Sequence, residues 1–208
     1  MLYNNINKGK LTMIYDLQSL KIRYKDYANI NQKISLECKN GKLTRIKRGL
    51  YSDDLISDIE VIANLCYAPS YISFEYALSY YGLIPEYVST LTSAIYGKKN
   101  NKVYKLDNTI FEYNSIPNKV FSKGILLKEN QKGLNYKIAS KEKALCDMLY
   151  LKYPVRSIKD LKYLLFEDLR IDEDELFTLD KDFINEIAPL YHSNTLNTFL
   201  KFINKEGK

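Results

Sequence analysis

The sequence has few of the residues on which many enzymes and secreted proteins depend. It contains no tryptophan, one histidine, three cysteines and eight glycines among 208 residues. The single histidine, His192, excludes multi-histidine metal sites and schemes that use two histidines as acid and base. The motifs GxxxxGK[ST], GxGxxG and GxSxG do not occur, which excludes the common phosphate-binding loops and the serine nucleophile elbow.

The three cysteines, Cys38, Cys66 and Cys146, are odd in number and widely spaced. This pattern disfavours both a disulfide framework and a CxxC-type metal site. No apolar run approaches the roughly 18 residues of a membrane span, and the polar N-terminus lacks the features of a secretory signal. We therefore expect a cytoplasmic protein with reduced thiols, no cofactor and no metal.

The charge is distributed unevenly along the chain. The formal net charge is +6, with 27% charged residues in total. Residues 1–51 contain eleven Lys or Arg and three Asp or Glu, a balance of +8, whereas the rest contains twenty and twenty-two, a balance of −2. Such asymmetry is typical of a nucleic-acid-binding module joined to a near-neutral body. The alternative is a surplus of lysine that only solvates the surface.

The pattern of residues 1–52 predicts a winged helix-turn-helix. Three short helices are followed by a basic hairpin whose turn is Lys47-Arg48-Gly49. Asn40-Gly41 ends the third helix, because glycine readily adopts the left-handed conformation of a helix cap. The predicted helices cover residues 12–21, 25–28 and 31–39, and the predicted hairpin covers residues 42–51.

The third predicted helix has one apolar and one polar side. Ile30, Ile34 and Cys38 recur every four residues and are expected to face the core, whereas Leu36 is turned outward. The polar side suits the major groove of DNA, and the hairpin cations suit the phosphate backbone. We expect the DNA contacts to come from Arg23, Lys25, Asn31, Gln32, Lys33, Ser35, Lys39, Lys42, Arg45, Lys47 and Arg48. The alternative is a winged helix that docks a protein.

Residues 53–208 predict a mixed α/β domain, so that the whole chain is expected to belong to the α+β class. Short alternating segments predict a mainly antiparallel sheet of four or five strands, and helices enclose it and form a C-terminal helical tail. Ser73 and Ser140 are expected to cap two of the helices. The predicted strands cover residues 90–96, 102–106, 109–113, 120–127 and 135–138, and the predicted helices cover residues 55–66, 74–81, 141–152, 158–166, 172–176, 181–187 and 195–203.

No catalytic group emerges from residues 53–208, and we therefore predict that the protein is not an enzyme. Glu142 and Asp147 share one predicted helix but lie about 140° apart around it, which disfavours an acid–base pair. Lys143 and Asp147 have instead the i,i+4 spacing of a charge pair.

Three blocks of sequence carry a family resemblance. Residues 67–85 read YAPSYISFEYALSYYGLIP, residues 138–147 read IASKEKALCD, and residues 48–51 read RGLY. The first block resembles a signature of the AbiEi-type antitoxins of type IV toxin–antitoxin systems, which act in abortive infection, a form of phage defence. The second resembles the family's IA-[ST]-x-EKAL-x-D helix, and the third is similar to the RG-[VL]-Y that closes its wing.

The resemblance implies a function in two parts. It implies that residues 1–52 form a winged helix-turn-helix that represses its own operon, usually at inverted repeats. It also implies that residues 53–208 counteract a nucleotidyltransferase toxin encoded nearby, without requiring direct contact with it. The alternatives are a stand-alone winged-helix regulator without a toxin, an enzyme of nucleotide or RNA metabolism, and a protein-interaction module.

Overall fold

The computed structural model describes residues 13–53, 58–97, 101–106 and 108–206, and it has a mixed α+β fold. The chain divides into two compact units. The first comprises residues 1–66 and 129–136, and the second comprises residues 67–128 and 137–208. Within the described ranges, no helix is both long enough and apolar enough to cross a membrane.

The first unit contains a small antiparallel sheet of three strands, in the spatial order β1 (Ile14–Asp16), β3 (Leu50–Ser52) and β2 (Thr44–Lys47). Its core is built from buried aromatic and aliphatic side chains, among them Tyr15, Leu20, Ile34, Leu43 and Tyr51. In chain order its elements are β1 (Ile14–Asp16), α1 (Leu17–Arg23), α2 (Ile30–Lys39), β2 (Thr44–Lys47), β3 (Leu50–Ser52) and α3 (Ile59–Cys66).

The helix predicted over residues 12–21 is wrong in its first half. Ile14 pairs with Ser52 of β3, so residues 14–16 form a strand of the sheet instead of the start of a helix. Helix α1 begins only at Leu17, because the Asp16 carboxylate accepts a hydrogen bond from the Ser19 N–H at 2.7 Å and caps the helix. Thr12 lies outside the described residues.

The helix predicted over residues 25–28 is also wrong, since these residues form a turn and bend between α1 and α2. Tyr24 is buried in the core and ends α1, while Asn29 already caps α2 by accepting the Gln32 N–H at 3.0 Å. The four residues between these anchors are used in turning the chain.

Two other predictions for this region are confirmed. The third helix is α2, which begins one residue earlier than expected, and the hairpin is formed by β2 and β3. Gly49 lies at the hairpin turn with a φ of +82°, a conformation that favours glycine. The helix predicted over residues 55–66 is present from Ile59, and residues 54–57 lie outside the described part of the chain.

The second unit is organised around a six-stranded mixed sheet, whose strands lie in the spatial order β6 (Lys102–Leu106), β7 (Thr109–Ile116), β5 (Leu91–Tyr96), β4 (Ser70–Ile72), β9 (Asn135–Ala139) and β8 (Ile125–Glu129). Its elements are β4 (Ser70–Ile72), α4 (Phe74–Tyr80), β5 (Leu91–Tyr96), β6 (Lys102–Leu106), β7 (Thr109–Ile116), α5 (Asn118–Phe121), β8 (Ile125–Glu129), β9 (Asn135–Ala139), α6 (Lys141–Leu151), α7 (Ile158–Lys162) with a π-helical turn (Tyr163–Asp168), α8 (Glu173–Phe177), α9 (Lys181–Ile187) with a 3-10 turn (Ala188–Tyr191), and α10 (Asn194–Glu206). Residues 129–136, which comprise the last residue of β8, the connecting loop and the first two residues of β9, group with the first unit.

The sheet is mixed, and the expectation of a mainly antiparallel sheet is corrected. Strand β5 runs parallel to β7, and β4 runs parallel to β9, whereas β4–β5 and β6–β7 are antiparallel. The sequence does not reveal this arrangement because β5 pairs with β7 and leaves its neighbour in sequence, β6, at the edge.

Two further local predictions are corrected. The sequence does not predict strand β4, because the strand has only three residues, its first residue Ser70 suggests a turn, and Ser73 directly after it suggests a helix cap. The strand predicted over residues 120–127 begins only at Ile125, because Asn118–Phe121 form α5 and Val120 buries its side chain there.

Candidate nucleic-acid interface

Helix α2 presents one side to the core and one to solvent. Ile34 is buried, and Ile30 and Cys38 are half-buried against the same core. The solvent side carries exposed residues with spacings of three and four, as expected for one face of a helix. These exposed residues are Asn31, Gln32, Ser35, Leu36 and Lys39.

The β2–β3 hairpin carries exposed cations. Arg45 and Lys47 are exposed on β2, and Arg48 is exposed at the turn. The register of the hairpin shifts between Arg45 and Lys47, so the ladder is irregular at this point. Buried Leu43, before β2, and buried Tyr51, on β3, hold the hairpin in the same core as Ile34 of α2.

The pKa values of two side chains on α2 respond to nearby positive charges. Burial raises the pKa of the Cys38 thiol, and the positive charge of Arg45 opposes that rise. A hydrogen bond from Lys33 lowers the pKa of Glu37, with further lowering by the charges of Lys42 and Arg23. The positive charges of Arg23, Lys33, Lys42 and Arg45 therefore act on side chains of α2.

Three of the predicted DNA-contacting cations have partners within the first unit. Arg23 donates a hydrogen bond to the Tyr15 hydroxyl, and its guanidinium lies 4.9 Å from the centre of that ring. Lys33 forms an ion pair with Glu37 at 2.7 Å. Lys47 donates hydrogen bonds to the carbonyl oxygens of Leu65 and Cys66, at the end of α3.

Ten of the eleven residues predicted to contact DNA have exposed side chains. The exception is Lys33, which is half-buried. The exposed side chains include donors suited to phosphates and two amides suited to base edges. They are Arg23, Lys25, Asn31, Gln32, Ser35, Lys39, Lys42, Arg45, Lys47 and Arg48.

The second unit contains a buried polar network centred on Asp147 of α6. One carboxylate oxygen accepts hydrogen bonds from Tyr71 at 2.9 Å and Ser73 at 2.7 Å. The other oxygen accepts from the Lys143 ammonium at 2.6 Å and the Tyr191 hydroxyl at 2.6 Å. Lys143 also donates a hydrogen bond to Tyr191 at 2.6 Å, so both Lys143 and Asp147 have several hydrogen-bond partners inside the protein.

Sequence reasoning missed most of this network. Ser73 was expected to cap α4, and it does occupy the cap position, but its side chain makes no capping bond and donates to Asp147. Lys143 and Asp147 were expected to form an i,i+4 pair, which is confirmed, yet both side chains have 0% exposure. The available signal was the co-occurrence of the two blocks that contain Tyr71, Ser73, Lys143 and Asp147.

The burial of this network changes the pKa values of its tyrosines. Burial, followed by the charge of Asp147, raises the pKa of both Tyr71 and Tyr191 well above the ordinary range. Glu142 makes contacts of its own, accepting from the Ser140 hydroxyl at 2.8 Å. The arrangement orients four side chains around one enclosed carboxylate, which is a means of fixing α6 against neighbouring segments.

A separate polar cavity of about 460 Å³ lies in the second unit. It contains two carboxylates, Glu75 and Glu112, and the Asn114 amide donates a hydrogen bond to Glu112 at 3.1 Å. Among the described residues, no group of three or more His, Cys, Asp or Glu side chains is placed to hold a metal ion. The remaining lining residues are Val88, Thr90, Thr92, Asn101 and Leu151.

Comparison of the chain with models of protein families gives no match, and comparison with curated proteins gives none either. The resemblance to AbiEi-type antitoxins consequently depends on the three sequence blocks alone. The structure adds where those blocks lie: Arg48-Gly49-Leu50-Tyr51 forms the hairpin turn and β3, and the other two blocks meet around Asp147.

Proposed function

We propose that this chain is a sequence-specific DNA-binding antitoxin of AbiEi type, with a winged helix-turn-helix in residues 1–52. It represses its own operon at inverted repeats in double-stranded DNA and counteracts a nucleotidyltransferase toxin in the cytoplasm. The observation that carries the DNA-binding part is the exposed polar side of α2 beside the exposed arginines of the hairpin. Helix α2 would enter the major groove, and the hairpin would follow the phosphate backbone.

The proposed division of labour between side chains follows from their chemistry. Arg45 and Arg48 offer planar guanidinium groups, each of which can bind two oxygens of a phosphate at once. The amides of Asn31 and Gln32 can bond base edges. Lys33 would contribute less than its position suggests, because Glu37 already neutralises its charge at 2.7 Å.

The antitoxin part is supported by the buried network of the second unit. Tyr71 and Ser73 come from one resemblance block, and Lys143 and Asp147 come from another. Residues that define the family pattern would therefore act together to maintain the fold of residues 53–208, the part implied to counteract the toxin.

A DNA-binding titration with the full chain tests the repressor function. Wild-type protein should bind its own upstream DNA in preference to a scrambled duplex, with affinity that falls steeply as salt is raised. Charge reversal by Arg45→Glu with Arg48→Glu should abolish specific binding, while Arg156→Glu with Lys159→Glu, two exposed cations of the second unit, should not. Equal binding to both duplexes by the wild type would reject the proposal.

The antitoxin function has its own test. A nucleotidyltransferase encoded beside this chain should arrest growth when expressed alone, and co-expression of the chain should restore growth. Restoration should persist in the Arg45→Glu, Arg48→Glu variant if residues 53–208 act on the toxin's effect independently of DNA binding. Growth arrest that the wild-type chain leaves unchanged would favour a stand-alone regulator.

A further inference from the structure

Leu36 occupies an unusual position on α2. Its side chain is 49% exposed, whereas Ile34, two residues earlier on the same helix, is 4% exposed. Isolated exposed leucines are common on protein surfaces and carry no meaning alone. Leu36, however, lies within the polar side of α2, together with Gln32, Ser35 and Lys39 at spacings of three and four residues.

The surroundings of Leu36 indicate what covers it. Exposed Lys39 follows Leu36 by three residues on the same side of the helix. The hairpin, which shares its core with α2, carries exposed Arg45 and Arg48. An exposed apolar side chain in such a basic unit suits a polyanion that also presents methyl groups, and the major groove of DNA does so at every thymine.

We propose that Leu36 contacts the 5-methyl groups of thymine, while the Gln32 amide bonds the N6 and N7 edge of adenine, so that the operator has neighbouring A·T pairs under α2. Residues four apart on a helix are separated by about 6 Å along its axis, and two base pairs rise about 7 Å. The two side chains can therefore reach base pairs that lie within about two steps of each other. This inference rests on the proposed DNA-binding function and adds the base class that the interface selects.

The experiment uses the full chain and a duplex selected by the wild-type protein from a randomised pool. Thymines in the selected site are replaced one at a time by deoxyuridine, which pairs identically but lacks the methyl group. Loss of a buried methyl contact should weaken wild-type binding by about fourfold at one or two positions. The Leu36→Ala variant should bind the thymine and deoxyuridine duplexes equally.

Leu65→Ala is the matched control, because Leu65 is a leucine of α3 in the same unit with 37% exposure. It should keep the wild-type response to deoxyuridine. Gln32→Ala should keep that response as well but lose the preference for adenine at the neighbouring position. Circular dichroism of each variant should match the wild type, since the replaced side chains are exposed.

The outcomes separate this inference from the function on which it rests. If Leu36→Ala retains the wild-type sensitivity to deoxyuridine, Leu36 does not read thymine, although DNA binding stands. If the wild-type protein selects no sequence from the pool, sequence-specific DNA binding is itself rejected, and the thymine contact with it.

Discussion

Helices α2 and α6 carry the same local motif in different surroundings. In α2, Lys33 and Glu37 form an i,i+4 ion pair at 2.7 Å, with 20% and 9% of their side chains exposed. In α6, Lys143 and Asp147 form an i,i+4 ion pair at 2.6 Å, with 0% exposure for both. A lysine followed four residues later by an acid therefore indicates the pair but not where it lies.

The difference in burial determines how much each ion pair contributes to stability. The Lys33 ammonium lies 4.6 Å from the centre of the exposed Tyr27 ring, and water can screen its charge. The Lys143–Asp147 pair has no such access and depends on the hydroxyls of Tyr71, Ser73 and Tyr191. Removing one member of a fully buried pair is costly, whereas a pair that keeps some contact with solvent contributes less to stability.

The largest expected effect is the loss of Asp147. Asp147→Ala leaves the Lys143 ammonium without its anion and three hydroxyls without their acceptor, so the free energy of unfolding should fall by about 3–5 kcal/mol. Urea unfolding followed by circular dichroism measures the change. A loss below about 1 kcal/mol would show that water enters the site and replaces the carboxylate.

A double variant tests how much of the loss in stability comes from leaving one buried charge of the Lys143–Asp147 pair without its partner. Replacing both members, as Lys143→Met with Asp147→Leu, removes the buried charges together and should recover part of the loss caused by Asp147→Ala. Full recovery is not expected, because the hydroxyls of Tyr71 and Tyr191 would still lack their acceptor. A double variant less stable than Asp147→Ala would contradict this account.

An intermediate effect is expected at alkaline pH. Burial and the neighbouring Asp53 carboxylate raise the pKa of Tyr15 from 10.0 to about 12 in the first unit. The Tyr15 hydroxyl therefore loses its proton at a lower pH in the unfolded chain than in the folded protein. Its contribution to the free energy of unfolding should be complete below about pH 10 and should be lost as the pH rises toward 12. Thermal unfolding of the wild type and Tyr15→Phe over this range measures it.

The corresponding tyrosines of the second unit provide the contrast. Burial and the charge of Asp147 raise the pKa values of Tyr71 and Tyr191 well above the ordinary range. In an ultraviolet titration of tyrosinate they should ionise only when the second unit unfolds. Ionisation of all tyrosines in a single step near pH 10 would contradict the burial of both sites.

The smallest effect is expected at Lys33. Lys33→Gln removes an ammonium from a half-buried side chain and leaves Glu37 partly in contact with solvent, so its effect on urea unfolding should be smaller than that of Asp147→Ala, where both partners are fully buried. It should also weaken DNA binding less than Arg45→Gln, because Glu37 neutralises the charge of Lys33 in the folded protein. An equal or larger loss of DNA binding for Lys33→Gln would show that DNA displaces Glu37.

Prediction from sequence succeeded where a local signal was sufficient. The apolar spacing of Ile30, Ile34 and Cys38 located α2, and Gly49 located the hairpin turn. Prediction failed at Ile14–Asp16 and at Ser70–Ile72, which are strands only because distant segments pair with them. Such short strands have little local signal, since their hydrogen bonds come from elsewhere in the chain.

The candidate site shows the same limit. The concentration of positive charge in residues 1–51 and the outward direction of Leu36 can both be derived from the sequence. The ion pair of Lys33 with Glu37 and the hydrogen bond from Lys47 to the Leu65 carbonyl at the end of α3 can be identified only from the folded structure. The number of cations is therefore a poor measure of how many remain available for a phosphate.

The sequence by itself determined the α+β class, the helix and hairpin around α2, and the excess positive charge near the N-terminus, because these depend on composition and on spacings of a few residues. Tertiary structure decided the parallel pairings of the sheet and the enclosure of Asp147 by Tyr71, Ser73 and Tyr191. These features join residues far apart in the chain, and burial then gives a common charge pair a large energetic weight.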